Sequence, residues 1–178
     1  VQFETIHPFH DGNGRLGRLL ITFILCHEGI LKQPLLYLSL YLKSNRQAYY
    51  DHLQSVRETG DWEAWIEFFL TGVIETAEQA TETAQSIITL FAEDGKTITT
   101  SGKSTAAVLT IHSYLQNYPI TTTTKIKDSC GLSLPTVLRG LKVLEDIGIA
   151  KEITGKGRHK VFVYGQFISL LNKGTEPL

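Results

Sequence analysis

Residues 7–18 read His-Pro-Phe-His-Asp-Gly-Asn-Gly-Arg-Leu-Gly-Arg, and the organisation of the chain is decided there. From Leu16 onward, Leu19, Leu20, Phe23 and Ile24 keep the i, i+3, i+4, i+7, i+8 spacing of a helix with one buried stripe. The Gly-Asn-Gly turn therefore feeds a helix N-terminus. Gly12 and Gly14 lack Cβ atoms, so successive N–H groups can point outward as an anion nest, and the helix dipole adds partial positive charge at the same place. Arg15 and Arg18 share one face of the first turns, where planar guanidinium groups can grip phosphate oxygens. Asp11 would repel an anion but suits a divalent cation, since Mg²⁺ is usually held by one or two carboxylates together with substrate phosphates. His7 is the side-chain type fitted to take a proton near neutral pH. Together these residues describe a magnesium–polyphosphate cradle with a base beside it. Two other readings stand next to this one: a plain structural turn, or a facial metal set made of His7, His10 and Asp11. The metal set would leave the two arginines without a role.

The stretch resembles the Fic (filamentation induced by cAMP) motif, H-P-F-x-D/E-G-N-G/K-R-x-x-R, at every specified position. The resemblance continues through Tyr49-Tyr50-Asp51, Gly60-Asp61 and Trp65-Ile66-Glu67-Phe68-Phe69, over roughly residues 1–90. Fic enzymes mostly transfer AMP from ATP to a Ser, Thr or Tyr hydroxyl of a target protein. The resemblance implies that His7 deprotonates that hydroxyl and that Asp11 holds Mg²⁺ on the α- and β-phosphates. It likewise implies an anion hole from Gly12, Asn13 and Gly14, with Arg15 and Arg18 on the β- and γ-phosphates and Tyr49 and Tyr50 as nucleotide contacts. On residue type alone, the two tyrosines are equally well read as aromatics packing on the domain edge. Gly14 favours adenylyl transfer, because the Doc-like toxins, which phosphorylate instead, carry lysine there. His10 falls on the family's variable position. Some relatives place a base-contacting asparagine seven residues past Tyr50, where this sequence has Arg57. Glu67 reads as a structural hydrogen-bonding group within its aromatic cluster.

The 178 residues, 42% hydrophobic, suffice for a sizeable core in one or two domains. No apolar run approaches the ~18 residues of a membrane span, and no secretory signal opens the chain, so a cytoplasmic protein with no membrane partner is expected. Cys26 and Cys130 read as reduced core cysteines. Methionine is absent, which suggests a fragment, and Fic proteins normally carry helices and a β-hairpin flap upstream of the motif. Nothing after the motif matches the family's inhibitory Ser/Thr-x-x-x-Glu helix. The net charge of −1 hides opposite halves: acidic residues outnumber basic ones up to residue 100, and the balance reverses beyond it. Two modules with different partners are expected.

The expected fold is mainly α: an all-α Fic module, N-terminally incomplete, over residues 1–92, a linker over 93–103, and a small α+β winged helix-turn-helix domain over 104–178. In the first module, helices are expected at Arg15–His27, Asn45–Glu58 and from Trp62 to about Phe91. Gly29 and Gly60 act as stops, and Asp61 caps the last of these helices. In the second module, helices at Ser104–Asn117, Lys125–Cys130 and from Pro135 to about Ile147 precede strands at Ala150–Thr154 and Val161–Tyr164, which flank a basic Gly-Lys-Gly-Arg-His-Lys tip. Helix, helix, turn, helix and basic hairpin is the winged helix order, and several Fic proteins carry such a domain at this end. Arg139, Lys142, Lys156, Arg158 and Lys160 could meet DNA phosphates, or could form a solvated face or protein-docking surface. His112 reads as a satisfied core histidine. The leading expectation is a protein adenylyltransferase using ATP and Mg²⁺ on a protein hydroxyl. The rival is a DNA-binding regulator whose Fic module is regulatory or inactive. Self-association into a homo-oligomer is left open.

Overall fold

The computed structural model describes residues 1–32, 37–155 and 160–173. They form two compact units, residues 1–82 and 83–173. The first contains helices α1 (Gln2–Ile6), α2 (Asn13–His27), α3 (Leu38–Ser44), α4 (Arg46–Thr59) and the opening part of α5 (Trp62–Thr100). Its core gathers Leu38, Leu42, Tyr49, Leu53, Val56 and Trp65, with Ile21, Leu25, Phe68 and Phe69 packed around them. Gly60, left-handed at φ 69°, closes α4, and Asp61 Oδ1 accepts from Ala64 N at 3.1 Å to start α5.

Helix α2 does not bury the expected stripe. Leu16, Leu19, Leu20, Phe23 and Ile24 are all exposed, between 38% and 57%. The face that packs, on α1 and α3, is Asn13, Gly17, Ile21 and Leu25, a four-residue spacing rotated away from the leucines. Gly17 decides this choice. A methyl group there would come within 2.5 Å of Glu4 Oε1 and 3.3 Å of the Phe3 ring, so a larger residue would push the Glu4 side chain aside and crowd α1. Periodicity identified the helix correctly but could not distinguish an apolar stripe from the face that a short neighbouring helix covers.

The second unit continues with α6 (Ala106–Asn117), β1 (Ile120–Thr122), α7 (Thr123–Cys130), α8 (Leu134–Asp146), β2 (Lys151–Glu152), β3 (Val161–Val163) and α9 (Gly165–Asn172). The strands form one antiparallel sheet in the order β1-β3-β2, with Thr121 opposite Phe162 and Lys151 opposite Val163. Ser133 caps α8 by accepting from Thr136 N, Pro135 lies in its first turn, and Gly131 (φ 66°) ends α7. The fully buried Ile111, Leu115, Ile126, Val137, Leu141, Leu144 and Tyr164 fill the core. Strand β1 and helix α9 were not foreseen, because three residues of a Thr-rich run and a short apolar tail carry little periodic signal.

The linker expected at 93–103 is also corrected. Most of it belongs to α5, and residues 83–100 pack with the second unit, so the boundary expected after residue 92 falls inside the helix. Ile98 is completely buried in that unit's core beside Leu90 and Phe91, which is what holds the polar stretch helical. The Thr97 and Thr100 hydroxyls donate back to Glu93 O and Lys96 O, which satisfies them along the helix. The Tyr164 hydroxyl donates to Asp94 Oδ2 and lies 3.4 Å from His112 Nε2, while Gln116 lies 3.4 Å from His112 Nδ1. His112 is thus a buried, satisfied histidine. Both cysteines are free. Among the described residues no helix is long and apolar enough to cross a membrane.

Candidate active site

Helix α1 ends at His7, which takes the left-handed conformation φ 51°, ψ 58° and donates its N–H to Phe3 O at 3.1 Å. It is the one positive-φ residue other than glycine among those described. The conformation is uncommon outside glycine, although histidine tolerates it better than most residues. It turns the chain out of α1 and into the loop that leads to α2.

Asn13 shapes that loop. Buried to 2% exposure, its Oδ1 accepts from Phe9 N at 3.0 Å and its Nδ2 donates to Phe9 O at 2.5 Å. Its side chain is therefore committed to the turn, and what it can offer an anion is its backbone N–H. The same holds for Gly14 and Arg15, the next two residues of α2. First-turn N–H groups have no intrahelical acceptor, and Gly12 (φ 82°) supplies no side-chain cap. The two arginines lie against the glycines: Arg15 Nη2 is 3.6 Å from where a Gly12 Cβ would be, and Arg18 Nη1 is 3.2 Å from a Gly14 Cβ.

A cavity of about 360 Å³ opens over this helix start. His7, His10, Asp11, the glycine turn, Arg15 and Arg18 line one wall, and Leu42, Lys43, Arg46, Tyr49 and Tyr50 line the other. Every residue expected at the site in the first unit is thereby gathered at one place. The Asp11 carboxylate, 92% exposed, pairs with Arg15 at 3.3 Å. Among the described residues no group of three His, Cys, Asp or Glu side chains could hold a metal, so the His7–His10–Asp11 facial set is not formed. One exposed carboxylate beside a helix start and two arginines does fit a Mg²⁺ ion that would take its remaining ligands from phosphate and water.

The tyrosines divide their roles. Tyr49 is buried, packs on Trp65 at 5.7 Å, and has its hydroxyl pushed up to about 12 by burial and then by the Glu4 carboxylate. Tyr50 is 46% exposed and lines both this cavity and an adjoining one of about 410 Å³, which His7, Gly14, Gln54 and Arg57 also line. Arg57 donates to Thr5 Oγ1 at 3.2 Å and Glu4 O at 3.3 Å, tying α4 to the end of α1 just before His7. Glu67 is exposed on α5 rather than enclosed by aromatics, because its neighbours Trp65, Phe68 and Phe69 occupy the opposite face. Sequence reasoning missed Lys43 and Arg46. The usable signal was the i, i+4 relation of Arg46 to Tyr50.

Residues 1–25 match the Fic/DOC family model. This Fic/DOC match contains the whole of α1, the His7 turn and most of α2. Over 46 residues, 26% of its length, the chain is 46% identical to a probable protein adenylyltransferase of Aquifex aeolicus. Over 63 residues, 35% of its length, it is 41% identical to proteins named protein adenylyltransferase Fic in Aedes aegypti and Culex quinquefasciatus. The matched part spans 14% of the first relative and 11% of each of the other two.

The basic residues of the second unit are less united. Lys142 lies 3.4 Å from Glu145 and 3.1 Å from Asp146, and those carboxylates raise its pKa. Arg139 is exposed on α8 and donates to Pro135 O of its own helix at 3.4 Å. Lys160 precedes β3, whereas Lys156 and Arg158 lie outside the described residues.

Proposed function

We propose that the chain carries the catalytic motif of a protein adenylyltransferase, which moves AMP from ATP to a Ser, Thr or Tyr hydroxyl of a target protein. One observation carries the reading: the α2 N-terminus, with three unpartnered N–H groups and two arginines against its glycines, opens into a cavity that His7 also lines. The names of the relatives support the same chemistry.

His7 takes the proton of the target hydroxyl as its oxygen bonds to the α-phosphorus. The bond from that phosphorus to the bridging oxygen breaks, and pyrophosphate leaves. Backbone N–H groups of Asn13, Gly14 and Arg15 stabilise charge on the α-phosphoryl oxygens, while Arg15 and Arg18 hold the departing phosphates. Asp11 would hold Mg²⁺, which when bound neutralises phosphate charge. Tyr50, half-exposed at the cavity, is the ring available to contact a nucleobase.

The order α6-β1-α7-α8-β2-β3 supports reading the second unit as a winged helix. DNA binding through Arg139, Lys142 and Lys160 is the rival role, weakened at Lys142 by its two carboxylate neighbours. Labelled-ATP transfer to itself and to lysate proteins tests the main reading. His7→Ala should lower transfer by about 10²–10⁴-fold, the usual contribution of a general base, and leave ATP affinity within about twofold. Undiminished labelling by that variant would remove His7 as the base.

A further inference from the structure

We propose that Lys43 and Arg46 form a second cationic wall of the α2 cavity, which makes the site select a triphosphate tail over a single phosphate. The inference rests on the nucleotide reading above. The cavity collects four cationic side chains, Arg15, Arg18, Lys43 and Arg46, against one carboxylate, Asp11. That carboxylate already pairs with Arg15. Lys43, in the last turn of α3, and Arg46, the first residue of α4, are both exposed and pair with no carboxylate among the described residues. The nearby Asp51 is occupied by Gln47 at 2.8 Å.

Arg46 is nonetheless not free to wander. Its guanidinium carbon lies 5.6 Å from the centroid of the Tyr50 ring, a cation–π contact that holds it at the cavity mouth. An arginine opening a helix is opposed by the helix's own dipole, which offsets part of what the contact with Tyr50 contributes. An anion in the cavity counters that opposition. One phosphate can be met by the α2 wall alone, through its N–H groups and Arg18. Each further phosphate adds negative charge and reach, and the opposite wall supplies two unneutralised cations to receive it.

The test uses the 178-residue chain and three probes, ATP, AMP and inorganic tripolyphosphate, with affinities read by calorimetry. The Lys43→Gln/Arg46→Gln double variant should weaken ATP and tripolyphosphate by about 10- to 100-fold, the scale of lost charge-assisted hydrogen bonds. AMP should change by less than about threefold. Arg46→Lys on its own should keep most of the tripolyphosphate affinity, because it keeps the charge. Equal weakening of AMP and ATP, or no change in either, would overturn the proposal. Arg18→Ala separates the two levels of failure. If Arg18→Ala abolishes ATP binding and the double variant does not alter it, the second wall is wrong and the nucleotide site stands. If wild type binds none of the probes, or Arg18→Ala leaves ATP affinity intact, the nucleotide site itself fails and the wall with it.

Discussion

The two units divide labour in how they use their side chains. In residues 83–173 the enclosed set is large: Ile98, Ile111, Leu115, Ile126, Val137, Leu141, Leu144 and Tyr164 are completely buried, and Gly140 lets Ile111 reach within 2.5 Å of where its Cβ would be, although Ile88, Tyr118, Ile120 and Ile153 stay exposed. In residues 1–82 the core is smaller, three leucines, an isoleucine and a phenylalanine of α2 face outward, and the Asn13 side chain spends its polar bonds on a turn. Dense packing makes the second unit a source of stability. The first keeps its first-turn N–H groups, its cations and the His7 imidazole accessible, as the proposed nucleotide site requires.

Three measurements would break or sharpen this contrast. The largest effect should come from Ile126→Ala, which empties a fully buried position and should cost about 2–5 kcal/mol in urea unfolding. Leu20→Ala on the open face of α2 should cost about 0.5 kcal/mol or less, as exposed substitutions do. Equal costs for the two would show that the α2 stripe is as enclosed as the core. Next is Asn13→Ala. Losing both bonds to Phe9 should cost about 1–2 kcal/mol and weaken ATP, because the turn no longer presents its N–H groups in place. Normal ATP affinity in this variant would mean that the turn does not organise the site.

The smallest effect is a pH dependence. Burial lowers the pKa of His112 below its ordinary value of 6.5, with Asp94 opposing the shift, and Tyr164 and Gln116 are its other polar neighbours. As pH falls below 6.5 the unfolded chain therefore takes up more protons at this position than the folded chain does. Stability from this group is complete above that pH and is lost as the pH drops toward the lowered folded value. Thermal unfolding of wild type and His112→Gln between pH 7.5 and 5 should show a shallower decline in the variant. Parallel curves would assign the acid sensitivity elsewhere.

That the motif residues share one cavity was legible in the sequence because they are contiguous. His7, Asp11, the glycines and both arginines lie within twelve positions, so local geometry alone brings them together. Lys43 left no local cue and Arg46 only its i, i+4 spacing to Tyr50, since both reach the cavity through tertiary packing of α3 and α4. Helix starts and stops at Asp61, Gly60 and Gly131 followed their capping chemistry, whereas the Ser133 cap of α8 was not read from the sequence. The failures were tertiary. The apolar stripe of α2 was overruled by the close approach of α1 at Gly17, and the polar look of residues 93–103 concealed Ile98, whose burial keeps the stretch helical.

The two bonds from Asn13 to Phe9 also bear on kinetics. A loop braced in this way before any nucleotide arrives does not have to be ordered at the moment of encounter, so little conformational entropy is lost on docking. On the proposed reading, the four cations of the cavity would speed the arrival of a polyphosphate over the last few ångströms, and the association rate should fall as added salt screens them.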